Sequence, residues 1–168
     1  MEQGTFVLAL IGALTGVAAL AWSVLEFLFG GAWVKVRLVS AWIGPGGAVT
    51  SESQSGWSRS PDQALPTPAI GIVVINRGRH PTTVASVSFS GEDFNFVPLG
   101  LRIGPPIPYR LEGQSAESWF LELREAVGVQ ESFTDVMKTS PKPIRAIAHL
   151  ATGKKRVSAN SLRLPPLG

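Results

Sequence analysis

Residues 3–25, QGTFVLALIGALTGVAALAWSVL, carry no charged side chain over 23 positions. A helix rises about 1.5 Å per residue, so roughly 20 apolar residues cross a hydrocarbon layer about 30 Å thick. Lipid contact is expected over residues 5–29. Trp22, Phe27, Phe29 and Trp33 gather at the C-terminal end, as amphipathic rings do at a headgroup zone. Glu26 fits that boundary, and Gly30-Gly31 ends the helix. A cleaved secretory signal is the rival reading. Its basic n-region, apolar run of about 7–15 residues and small-x-small cleavage site are poorly met. Here the leader is Met1-Glu2-Gln3, the run is longer, and Ala19–Ala21 is a poor site. The expectation is a retained span in a single-pass cell-membrane protein. Lys35 and Arg37 follow the span and only the terminal amine precedes it, which places the C-terminal domain in the cytoplasm. Gly12 and Gly16 lie one helical turn apart and offer a close-approach face for self-association.

The chain divides into residues 1–32, the span and its boundary, and residues 33–168, one β domain. It holds 15 Lys/Arg and 12 Asp/Glu; Glu2 and Glu26 are the only charges before Trp33, so the domain carries a net +5. Val34, Val36 and Leu38 alternate with Lys35, Arg37 and Val39, the period-two pattern of a half-buried strand, continuing through Trp42. Residues 44–68 form a long Gly/Ser/Pro-rich connection, which Trp57 can pin to the domain. Further strands are expected at Ala69–Asn76, Thr82–Phe89, Phe94–Val97, Ser118–Leu123, Ile144–Ala151 and Arg156–Ser158, with Leu162 and Leu164 closing an edge. Val127–Lys138 has helical spacing. Seven or eight short strands with at most one short helix predict a mainly β fold, a β-sandwich behind an N-terminal transmembrane helix.

Three turns carry a resemblance. Asn76, Gly78, Arg79 and Pro81 form one, followed by Thr83 and Val84. Leu111, Glu112, Gly113 and Ser115 form the second; Arg145, Ala146, Ala151, Thr152, Gly153 and Lys154 mark the third. This layout resembles a loose group of small bacterial single-span membrane proteins with a C-terminal immunoglobulin-like β-sandwich. The resemblance implies that fold, and no specific role.

Chemistry is sparse. The absence of Cys removes thiol nucleophiles and thiolate metal sites. His80 and His149 stand far apart without a metal-ligand spacing around either. His149 with Asp135 and a serine is only a formal triad, with no nucleophile elbow. Glu92-Asp93 reads as a solvated turn, and Gly100–Gly104 lacks a phosphate-cradle pattern. No catalytic residue, cofactor or metal site is expected. Arg77, Arg79 and His80 form one basic turn; Lys154, Lys155 and Arg156 form another. Together they are the candidate contact surface. On a cytoplasmic domain, the turn nearer the bilayer would attract anionic lipid. Aromatic residues do not interleave with them, which argues against nucleic acid. Pro-Pro-x-Pro at 105–108 can act as an extended recognition element or as a rigid connection between sheets. The functional expectation is a non-enzymatic, membrane-anchored binding or scaffold protein engaging a protein partner. The alternative is an envelope ligand-binding protein on the outer face, which exposed aromatics around Trp42, Trp57 or Trp119 would favour.

Overall fold

A computed structural model describes residues 2–29, 31–52, 57, 66–92, 94–98 and 103–165, with the side chains of the first helix from Val7 to Glu26. The side chains of Phe27 and Phe29, Asp93, and most of residues 53–65 and 99–102 lie outside the described residues, and with them the parts of the expected belt, acidic turn and loops that they carry.

Helix α1 (Glu2–Phe29) is the expected apolar segment. Its window Val7–Glu26 has a mean hydropathy of 2.1 and none of it is buried against the domain. At about 1.5 Å per residue these 20 residues cover a bilayer core. Among the described residues, a single membrane-spanning helix is thus joined to a large β-rich domain.

The domain contains two open antiparallel sheets. The first has the order β2 (Gly47–Ser51), β1 (Val34–Gly44), β3 (Thr67–Asn76), β7 (Ser115–Glu122). The second has the order β5 (Asn95–Phe96), β4 (Thr82–Ser90), β8 (Arg145–Leu150), β9 (Lys155–Val157), and β6 (Tyr109–Leu111) also pairs with β4. Helix α2 (Leu123–Met137) follows β7. Period-two patterning explains the main packing. Val34, Val36 and Leu38 of β1 and Ile70, Ile72 and Val74 of β3 meet Val84, Val87 and Phe89 of β4 and Ala146 and Ala148 of β8. Trp119 is fully buried among them, its indole N–H satisfied by Pro105 O at 2.9 Å.

The expected immunoglobulin-like β-sandwich, and the resemblance that implied it, are overturned. Neither sheet is closed or curled. The physical reason lies in β4 and α2. One side of β4 is shared by two very short strands, β5 at Phe89–Ser90 and β6 at Thr82–Val84. Among the described residues no long strand continues the sheet there. Core volume is filled instead by α2, whose Leu123, Ala126 and Val127 join the same cluster as the strand residues.

The segment 44–68 also differs from a simple connection, because Gly47–Ser51 folds back on β1 from Ser40 to Gly44. Opposite the main core, the first sheet carries a smaller cluster of Val39, Ala41, Ile43, Ala69 and Phe120. Gly71 sits beneath it: a Cβ there would lie 2.6 Å from the Phe120 ring and 2.8 Å from Val39. The Pro-rich stretch serves as a connection between sheets, since Ile103 bridges Phe120 of β7 and Tyr109 opens β6 in the other sheet.

Candidate functional site

Strand pairing decides where the two basic turns go. Val34 pairs with Asn76, so β3 ends beside the start of β1, directly after the membrane helix. The turn 77–81 therefore sits at the membrane-proximal end. Strand β4 leaves that end, and its Thr83 O accepts a hydrogen bond from Ala151 N–H at 2.9 Å. The β8–β9 turn, with Lys154, and the first residue of β9, Lys155 opposite His149, thus belong to the same end. Arg156 lies on β9 opposite Ala148. Two turns more than 70 positions apart in sequence share one end of the domain.

Asn76 holds this end together. It is 0% exposed. Its Oδ1 accepts from the backbone N–H of Trp33 at 3.2 Å and of Gly78 at 3.1 Å, while its Nδ2 donates to His80 O at 2.8 Å and Glu112 O at 3.0 Å. All four hydrogen-bonding positions of the amide are filled, as burial of a polar side chain requires. Three segments are joined: the exit from α1, the β3–β4 turn and the β6–β7 turn. Arg77 N–H donates to Trp33 O at 2.8 Å, and Gln114 N–H to Gly78 O at 3.0 Å. Backbones approach so closely that a Cβ at Gly78 would strike Gly31 O, and one at Gly113 would strike Arg79 O. The turn residues recognised in the sequence are therefore the ones that pack the domain onto the end of its own span.

A cleft of about 950 Å³ opens between them. Trp22, Leu25 and Trp33 supply apolar lining, Arg77 and Arg79 two guanidinium groups and His80 an imidazole; Glu26 is a carboxylate in the same lining. Trp22 is 67% and Trp33 69% exposed. Among the described residues no carboxylate pairs with Arg77, Arg79, Lys154 or Lys155; the ion pairs involve Arg37 with Glu52, Arg110 with Glu112 and Lys142 with Glu92. The structure thus brings Arg77, Arg79 and His80 into one cleft and leaves Lys154, Lys155 and Arg156 outside it.

A second concavity, of about 860 Å³, lies at the opposite end, between α2 and β5. It was not read from the sequence. Leu123, Ala126, Val127, Gln130 and Thr134 form the buried face of α2. Val129, Phe133 and Val136 form a separate stripe that lines the groove with Phe96, Val97 and Leu121. Phe133 is held by Phe94, ring centroids 4.9 Å apart, and Phe94 and Phe89 flank Phe96 at 6.1 and 5.2 Å. This aromatic row ties α2 to β5 and preforms the groove. Gln130 Nε2 donates to Lys142 O at 2.7 Å and fixes the following loop.

The remaining candidates are dispersed. Ser88 Oγ and His149 Nε2 are 3.1 Å apart, but Ser88 is 0% exposed, which denies a substrate access to its hydroxyl. Among the described residues no group of three or more His, Asp or Glu is placed to hold a metal ion. Gly12 and Gly16 have open space around them. Trp119 is buried and Trp57 half-buried, its Nε1 donating to Ala69 O at 2.7 Å, while Trp42 is half-buried. No protein-family model matches the chain, and no curated protein sequence matches it.

Proposed function

We propose that this chain is a membrane-anchored interaction module that works by binding rather than catalysis, with its domain in the cytoplasm. Helix α1 holds it in the bilayer, and the domain presents the α2–β5 groove to an apolar segment of a protein partner. The groove is the observation that carries this reading. Its stripe sets Val129 40%, Val136 79% and the neighbouring Val97 54% exposed. Contiguous exposed aliphatic side chains over a preformed concavity mark an interaction surface in soluble domains. Its location supports the same reading. Strand β3 runs ten residues from the groove end to Asn76. At roughly 3.3 Å per residue this holds the groove about 30 Å from the membrane-proximal turns, where a cytosolic partner can reach it. The outer-face ligand-binding alternative finds less support, because among the described residues Trp119 is buried and Trp42 and Trp57 are half-buried.

The test is photocrosslinking in intact membranes, with a photoreactive residue at position 129 or 136 and a control at exposed Val49 on β2. A discrete adduct is expected from the groove positions alone, and Val129→Asp should abolish the adduct formed from position 136. Equal labelling from Val49, or none from the groove, refutes the proposal.

A further inference from the structure

The geometry points to a second binding site at the other end of the domain: the cleft between the exit of α1 and the β3–β4 turn holds the headgroup of an anionic phospholipid from the adjacent leaflet. Its two walls differ in chemistry in the way such a molecule does. Trp22 and Leu25 belong to the last turns of a segment whose 20 residues span the hydrocarbon, so they stand at the boundary between acyl chain and headgroup. Facing them, Arg77 and Arg79 offer guanidinium groups, which bind phosphate through paired N–H donors. Both are exposed, and neither has a carboxylate partner among the described residues. Glu26, also in the lining, opposes the anion, yet it is one carboxylate against two guanidinium groups.

The site is also built in advance. The four hydrogen bonds of buried Asn76 and the tight backbone approaches at Gly78 and Gly113 fix the turn that carries the arginines. A ligand therefore does not have to order the loop that binds it. Lys154 and Lys155, at the same end but outside the cleft, add attraction towards an anionic surface without choosing one molecule. Each basic group near such a surface is worth about fivefold in association.

This inference rests on α1 lying in the bilayer, and one experiment separates the two claims. The full-length protein is placed in nanodiscs of equal parts phosphatidylglycerol and phosphatidylcholine, then released and weighed by native mass spectrometry. One phosphatidylglycerol is expected to stay bound at least tenfold in preference to phosphatidylcholine. R77Q/R79Q should lose that preference and R77K/R79K should keep part of it, while K154Q/K155Q should retain the bound lipid. An unaltered melting curve for R77Q/R79Q shows that the domain has not simply unfolded. Equal retention of the two lipids by the wild-type protein overturns the proposal, as does displacement by millimolar inorganic phosphate, which would mark a free-anion site. Failure to enter the nanodisc at all would instead refute the membrane anchor.

Discussion

Asn76 shows how much one residue can determine here. Its amide uses two acceptor and two donor positions at once, and neither Ala nor Asp can replace both. Asn76→Ala removes the Asn76 partner from the Trp33 and Gly78 N–H groups and from His80 O, while Glu112 O keeps its hydrogen bond from Ser115 Oγ. Each buried group left unsatisfied costs about 1–3 kcal/mol, partly relieved by water, so a loss of about 3 kcal/mol is expected. For a chain of this size that lowers the melting temperature by about 6–12 °C, measurable on the full-length protein in detergent. Asn76→Asp should cost at least as much, since a carboxylate cannot donate to His80 O and Glu112 O. Gly71 makes a similar point in the first sheet. The Phe120 ring occupies the place of its missing side chain, so Gly71→Ala is expected to destabilise by about 1–3 kcal/mol through overpacking; an unchanged denaturation midpoint would contradict that packing. The sequence shows Asn76 and Gly78 as turn residues, and turn chemistry is local. Their partners are not local: Trp33, Glu112 and Gln114 are brought to them by the pairing of β3 with β1 and β7.

At the scale of elements, α2 does two jobs with two faces. One face is sealed into the core, and the other lines a groove with Phe96, Val97, Pro98 and Leu121. Val136→Asp on the outer face should leave stability within about 0.5 kcal/mol, as surface changes do, while removing the crosslink formed from position 129. A stability loss of several kcal/mol would show that the groove is closed core. The strands β1, β3, β4 and β8 are legible in the sequence because their alternation is strong and one face is apolar. Strand β2 is not, because all but its last residue are exposed and it carries no alternation. The start of α2 is hidden for a different reason. Glu122 makes no side-chain cap, and the apolar pattern of β7 runs straight into Leu123, so no start signal separates strand from helix. The immunoglobulin-like expectation failed at this level too. Counting short strands says nothing about whether their sheets curl, and β5 and β6 share one side of β4 in a way that spacing does not reveal. The candidate site was half visible: both basic turns stand out in the sequence, but their common end follows from the β4–β8 register.

At the scale of the molecule, topology and processing are open to direct test. A reporter active only in the cytoplasm, fused after Gly168, should be active; an export-dependent reporter at the same place should be silent. The reverse result would move the domain outside and remove the setting for a cytosolic partner. Sequencing the mature N-terminus should find the segment before Ala21 still attached, since the span has the length of an anchor. Only residues 30–33 lie between α1 and β1, and Trp33 is hydrogen-bonded on both sides to the β3–β4 junction. The brace at Trp33 is expected to pass a tilt of the helix on to the domain, which a matching change of tilt in both, measured in oriented bilayers, would check. Spans commonly lean by about 20° to suit the thickness of their bilayer, and over an arm of about 30 Å that swing carries the far groove sideways by about 10 Å. A change in lipid thickness would then be felt by whatever protein docks there, with the bilayer acting as the hand and α2 as the pointer.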